Sequence, residues 1–360
     1  MDIPKKVMSH YSLKVKKVSL LSDKGKKAVW SIITSSGDYI LKKVPIHEGR
    51  LAFMIRTIDH LNSNGVLTPG VINTSNGEGY VLVDDDFYVL FEAIKGKKPA
   101  YKKKKELEKI VRGLATFHKA SSGIVISENM KPSYLLGGWK EDFQRRYNLL
   151  EKWKQERQNA PIKNKFDQQF LLHVDTFLNQ CKAAMLMLHE SCYDSWVEDT
   201  KVKNTICHQD FAAGNLAIDK NGHLNVFDMD SLTIDLPIRD IRKLLNKVMK
   251  KQPSWDLALM IEVMTFYQKV SPLSNEQYKV LVADLLFPHL FFGQVNKYYG
   301  KDEKEWSEKK HLERIKEMVQ VELSKEAVIK DFFMTYLAKT LRLNPRACSM
   351  QDKQQDTPPI

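Results

Sequence analysis

Cysteine is scarce in this chain, with only Cys181, Cys192, Cys207 and Cys348 among 360 residues. No two have C-x-x-C spacing and none sits in a His-rich stretch, which argues against a zinc centre. So few thiols in so long a chain also argue against a disulfide framework and fit a reducing, cytosolic compartment. Long apolar runs are missing as well. The longest, Val280 to Gly293, is interrupted by Asp284, Pro288 and His289, too short and too broken to cross a bilayer. The opening segment, MDIPKKVMSHYSLKVKK, has no apolar signal core. No membrane partner is expected, and no internal repeat is visible.

What remains is an ordinary globular composition with a basic balance. Hydrophobic residues make up 43%, enough for one large core or two modest ones. Lys and Arg outnumber Asp and Glu by 56 to 44, a net charge of +12. Such a protein attracts anions such as nucleotides, phosphorylated substrates or nucleic acid; a plain alternative is a coat of solvated lysines.

Local patterning divides the chain. Ala28–Thr34 (AVWSIIT) and Tyr39–Val44 (YILKKV) are β-rich runs around a Ser-Ser-Gly-Asp turn, predicting an antiparallel hairpin, with a weaker strand over Val15–Leu21 before them. Leu51, Met54, Ile55, Ile58 and Leu61 recur at helical spacing, and Asn64-Gly65 ends that helix. Residues 79–83 and 87–91 predict a second hairpin. Residues 1–95 thus read as a small α+β lobe. A Gly/Pro-broken linker, Lys95-Gly96-Lys97-Lys98-Pro99, leads into a mainly helical lobe over 96–343. Its helices include 106–119, 139–156 and 166–190, with one island of strands at 205–227. The tail, residues 344–360, is polar with three prolines and is expected to be disordered.

That island carries the chemistry: CHQDFAAGNLAIDKNGHLNVFDMDS. Asp210 lies two residues after His208, Asn215 five residues further, and Asp228 and Asp230 follow a hairpin. Phosphoryl transfer needs metal ions to neutralise phosphates and a carboxylate to orient the attacking hydroxyl. Asp210 can accept that proton. Asn215 and Asp228, with Asp230 as a further contact, offer the oxygen ligands that Mg²⁺ prefers. His208 packs the loop. The plain alternative is that His208 and Asp210 cap a turn while Asp228 and Asp230 close a hairpin.

HQDFAAGN followed by VFDMDS resembles the catalytic and metal-binding signature of the aminoglycoside phosphotransferase and choline-kinase-like superfamily. YILKKV, HLNSNGVLTPGVI, YVLFEAIKG, RGLATFHKAS and DLPIRDIRKLL make the chain, over residues 10 to 340, similar to the bacterial spore-coat kinase-like proteins of the CotS type. The resemblance implies a protein-kinase-like two-lobed α+β fold, with a small antiparallel-sheet N-lobe and a mainly helical C-lobe. It implies an ATP- and Mg²⁺-dependent kinase acting on a hydroxyl-bearing acceptor. It assigns the phosphates to Lys42, the adenine edge to the backbone of Glu92 to Ile94, and bracing of the catalytic loop to Asp240. It also implies cytoplasmic synthesis, deposition in the spore coat and other coat proteins as partners.

Two departures stand out. The family's helix after the lysine carries a glutamate that pairs with it; here that turn holds Ala52, Phe53 and Met54, while Glu48 and Asp59 are poorly placed. The phosphate-covering loop, Ser22 to Lys27, has a single glycine, leaving Lys24, Lys26 and Lys27 to touch phosphates. These departures keep open an alternative: a weakly active or inactive kinase-fold protein acting as a structural component of the coat. Lys95 to Lys105 contains seven lysines, which could steer an anionic substrate or form a solvated turn. No RNA-binding motif accompanies them, which argues against nucleic acid. His118 is expected to pack or brace a loop, and Trp139, Phe143 and Tyr147 to face a core.

Overall fold

The computed structural model describes residues 3–250, 254–300 and 305–343, with side chains to residue 335. The tail expected to be disordered, 344–360, lies outside the described residues. Two compact units divide the chain. One comprises Met1–Gly137, Val197–Leu244 and Thr265–Pro272; the other comprises Gly138–Trp196, Leu245–Met264 and Leu273–Ile360.

The first unit begins with a short helix, α1 (Ile3–Met8), then strands β1 (Val15–Asp23), β2 (Ala28–Thr34) and β3 (Asp38–Val44). Thr34 shapes the β2–β3 turn, its hydroxyl accepting the Ser36 and Gly37 N–H groups at 3.1 Å each. Helix α2 (Glu48–Ser63) starts where the His47 ring accepts the Arg50 N–H. After it come β4 (Val81–Val83) and β5 (Asp86–Glu92). The five strands form an antiparallel sheet of order β1-β2-β3-β5-β4. Alternation along β3 buries Leu41 in one face and sends Ile40 and Lys42 to the other. Val7, Met8 and Tyr11 at the N-terminus close the Leu41 face over Ile32, Tyr88 and Leu90. Helix α1 leaves no sign in the residue pattern because six residues are too few for a period to register.

The same unit continues with α3 (Lys104–Ser121), which buries Leu107, Ile110, Val111, Leu114 and Phe117 as its periodicity requires. β6 (Ser133–Tyr134) follows. The second unit then supplies α4 (Trp139–Gln158) and α5 (Lys165–His189), the latter opened by a reciprocal Asn164–Asp167 capping box. Trp139, Phe143 and Tyr147 are buried, a core face as their spacing predicts, with Phe143 stacked on Phe287 at 4.1 Å between ring centroids.

Helix α6 (Tyr193–Lys203) precedes β7 (Ile206–Cys207), β8 (Leu216–Ile218), β9 (Leu224–Val226) and β10 (Thr233–Ile234). β10 sits between β6 and β7 in a small sheet, and β8 pairs with β9 in a hairpin. The turn of that hairpin is wider than the two residues, Asn221-Gly222, that a tight hairpin would use. Asp219 closes it onto His223 and accepts the N–H groups of Asn221 and His223, while Gly222 takes φ 83°. Helices α7 (Ile238–Met249), α8 (Leu257–Gln268), α9 (Asn275–Leu286), α10 (His289–Tyr299) and α11 (Glu308–Leu343) complete the chain. No helix among the described residues is long and apolar enough to cross a membrane.

Candidate active site

The loop after β7 is held from below by Asp240, on the first turn of α7. This carboxylate is 1% exposed. It accepts the His208 N–H at 2.6 Å, the Gln209 N–H at 2.9 Å and His118 Nε2 at 3.3 Å. Burial pushes the Asp240 carboxyl up, but the His118 and His208 donors outweigh it and hold the group below its ordinary value. His118 in turn meets the Tyr267 hydroxyl at 2.8 Å. It is the loop-bracing histidine that its helix position suggested.

His208 is fully buried. Its Nδ1 accepts the Asp210 N–H at 3.3 Å, and its Nε2 donates to the Phe227 carbonyl at 3.1 Å. An amide can only donate and a carbonyl can only accept, so the ring is neutral with its proton on Nε2. Burial pushes its pKa down, consistent with that state. His208 thus ties the loop after β7 to the residue that follows β9. Gln209 takes a left-handed conformation at φ 70°, kept by Asp240 on its N–H and by Lys243 on its carbonyl at 2.9 Å. Burial pushes the Lys243 amine down to about 8.

The strained turn exposes Asp210. The Asn215 amide donates to the Asp210 carbonyl and to its carboxylate, each at 2.9 Å. That leaves the amide oxygen of Asn215 to serve a cation. The Ala213 N–H donates to the Tyr101 hydroxyl at 2.9 Å, a second clamp on the loop.

After β9 the chain passes through Phe227 into Asp228, also left-handed at φ 67°. Asp228 faces Lys42 of β3, Oδ1 to Nζ at 2.9 Å. Burial pushes the Asp228 carboxyl up, but the charge and hydrogen bond of Lys42, with Lys27 behind it, bring it below its ordinary value. Asp230 pairs with Lys27 at 2.9 Å through Oδ2, while its Oδ1 is buried with no hydrogen-bond partner. Burial would push the Lys27 amine down, yet the bond to Asp230 carries it above its ordinary value.

These groups line a cleft of about 380 Å³ between the five-stranded sheet and the β8–β9 hairpin, within the first unit. Val29, Ile40, Phe91, Ile94 and Phe227 make its apolar part; Lys24, Lys27, Lys42, Asn215, Asp228 and Asp230 make its polar end. Apolar and charged side chains lining one cleft are the combination a purine nucleotide requires. Two carboxylates and an amide oxygen, one carboxylate oxygen being buried and unpartnered, fit a hard divalent cation.

The sequence-predicted residues therefore divide cleanly. Lys42, Glu92, Ile94, Asn215, Asp228 and Asp230 line the cleft. Asp210 is tied to it through Asn215. His208 and Asp240 lie beneath, buried. At the end of β5, the Glu92 and Ala93 N–H groups are bonded to Gly70 and Asp38 carbonyls, and the Glu92 side chain accepts the Gly70 N–H. The sequence did not reveal the Tyr101, Lys243 and Tyr267 braces, which join segments far apart in the chain. Glu48, one of the candidate partners for Lys42, is bonded to Tyr80 instead.

The chain also matches known proteins. The family model described as "Spore coat putative kinase YutH" matches residues 4–332. Spore coat protein S of Bacillus subtilis (strain 168) is 33% identical over 328 residues, covering 91% of this chain and 93% of that protein. Among solved structures, an aminoglycoside phosphotransferase from Alicyclobacillus acidocaldarius matches with a TM-score of 0.77 at 18% identity, over 94% of this chain and 96% of that one. Amicoumacin kinase hAmiN, solved with AMP-PNP and Ca²⁺, matches with a TM-score of 0.61 at 14% identity, over 91% and 92%. The likeness of the solved structures establishes a kinase-like fold, and the match along nearly the whole sequence establishes kinship: the chain belongs to the YutH family of spore coat kinase-like proteins.

Proposed function

We propose that this protein is an ATP-dependent phosphotransferase that moves a phosphoryl group to a hydroxyl of its acceptor. The observation that carries the reading is the convergence of Lys42, Asn215, Asp228 and Asp230 on one cleft, with Asp210 bonded to Asn215. A bound Mg²⁺, held by Asp228, Asn215 and Asp230, supplies charge neutralisation of the phosphates. The apolar slot takes the adenine, and its edge meets the Glu92 carbonyl and the Ile94 N–H. Lys42 turns from Asp228 to the phosphates, and Lys27 does the same from Asp230. Asp210 orients the acceptor hydroxyl and accepts its proton. Asp240 and His208 do not touch the reactants; they keep the strained loop in place.

The test is turnover of Mg-ATP against a panel of hydroxyl-bearing compounds. Asp210→Ala should lower the rate by roughly 10²-fold or more, the usual worth of a general base. Nucleotide affinity should stay nearly constant. Equal turnover by the variant contradicts the assignment.

A second reading is favoured by one observation. Lys42 is bonded to Asp228 itself rather than to a helix glutamate. A protein that keeps this pair would bind nucleotide weakly and serve the coat as a structural component. Its signature is Mg-ATP binding without transfer to any acceptor. In either reading the family relation supports deposition in the spore coat beside other coat proteins.

A further inference from the structure

The lysine-rich segment is strapped to the catalytic loop. Lys97 exchanges both backbone hydrogen bonds with Ile218, each at 2.8 Å. A Cβ on Gly96 would lie 2.8 Å from the Ile218 carbonyl oxygen, so only glycine permits this approach. Four residues beyond Lys97, the Tyr101 hydroxyl takes the Ala213 N–H of the catalytic loop. Burial raises the Tyr101 pKa, and the Asp210 charge adds to the rise, placing the segment in the field of the proposed base.

The charge on this strap is not cancelled. Lys95 pairs with Asp38 and Lys103 with Glu106. Lys97, Lys98, Lys102 and Lys105 are exposed and enter no ion pair among the described residues. Glu106 and Glu108, the nearest acids along the chain, are taken by Lys103 and Arg112. Uncompensated lysines along an irregular segment and the first turn of α3, beside the loop that carries Asp210, form an electrostatic landing strip.

We infer that this strap, Lys97 to Lys105, docks an acidic polypeptide and presents its hydroxyl to Asp210. The inference rests on the phosphotransfer reading and names its acceptor class. A polyamine acceptor of the aminoglycoside kind would be repelled. A small anion needs convergent, enclosed donors, whereas these are spread along an open surface. Single-stranded nucleic acid needs aromatic faces for stacking; Tyr101 is the sole aromatic of the run, and its hydroxyl is occupied. An extended acidic chain matches a row of separated, exposed cations.

The experiment uses the full chain and three labelled peptides, each with one serine, flanked by acidic, neutral or basic residues. Anisotropy without nucleotide reads docking; transfer of radiolabel from Mg-ATP reads catalysis. The acidic peptide should bind best, more weakly at high salt, and take most label. Together Lys97→Glu, Lys98→Glu and Lys102→Glu should weaken its binding by about tenfold or more while the melting curve holds. Lys309→Glu, an exposed lysine of α11, should leave binding unchanged. Equal binding of the three peptides, indifference to the triple change, or preference for a single-stranded oligonucleotide overturns the inference. So does labelling of the neutral or basic peptide in preference to the acidic one. If the acidic peptide docks through these lysines but no acceptor of any kind is labelled, the docking surface stands and the phosphotransfer reading falls.

Discussion

Asp228 and Asp240 are both aspartates held below their ordinary pKa, and they are held in opposite ways. Asp240 is buried and satisfied by donors that belong to the fold: two backbone N–H groups and a histidine. The Asp228 side chain is 37% exposed and satisfied by Lys42, a cation on β3. The first arrangement fixes geometry; the second can be exchanged for phosphate or metal. A kinase-like site needs both, a rigid loop under the reacting atoms and replaceable partners above them.

The sharpest way to break this contrast is to remove each carboxylate and measure urea unfolding. Asp240→Ala strands three donors in the core and should cost about 3 kcal/mol or more. Asp228→Asn keeps a residue that tolerates the left-handed turn and loses a solvent-screened pair, so stability should change by less than ~1 kcal/mol. Similar losses would erase the distinction.

Nucleotide affinity should rank the other way. Lys42→Met should weaken Mg-ATP binding about tenfold, since a charge-assisted bond is worth roughly 1.5–3 kcal/mol. Lys27→Met should act in the same direction, and both should leave the unfolding midpoint nearly unchanged. Calorimetric titration checks the order.

Proton linkage separates the two regions again. His208 is buried neutral, with its folded pKa below the ordinary 6.5. The unfolded chain therefore binds the proton first. Stability is full above about pH 6.5 and falls as pH drops towards the folded value, by at most ~1.4 kcal/mol per pH unit per proton. His173, also pushed down by burial, adds to the slope; His173→Gln removes that share and leaves the part due to His208. The contributions of Asp228 and Asp240, both lowered from 3.8, persist above that pH and are lost only as it falls through their folded values. Urea midpoints from pH 8 down to pH 2 test this sequence. The smallest effect belongs to the exposed Lys95–Asp38 pair, where Lys95→Ala should cost less than ~1 kcal/mol.

Much of this was legible in the residues because it is local. The β2–β3 hairpin, α2 and α3 announced themselves by period and turn chemistry. The spacing from His208 to Asp230 brought Asn215, Asp228 and Asp230 to one cleft because a single short hairpin returns the chain. What escaped were α1, β6 and β10, too short to show a period, and the long-range clamps. Tyr101 lies 112 residues from Ala213, and His118 lies 149 from Tyr267. No local pattern encodes such pairs. That Asp228 stands beside Lys42 needed the fold, because 186 residues separate them.

The most direct measurement is titration of ATP into the purified protein with and without Mg²⁺, beside Asp228→Asn. Mg²⁺ should strengthen binding in the native chain and leave it unchanged in the variant. Binding indifferent to Mg²⁺, or a variant that responds to Mg²⁺ as the native chain does, would contradict this expectation.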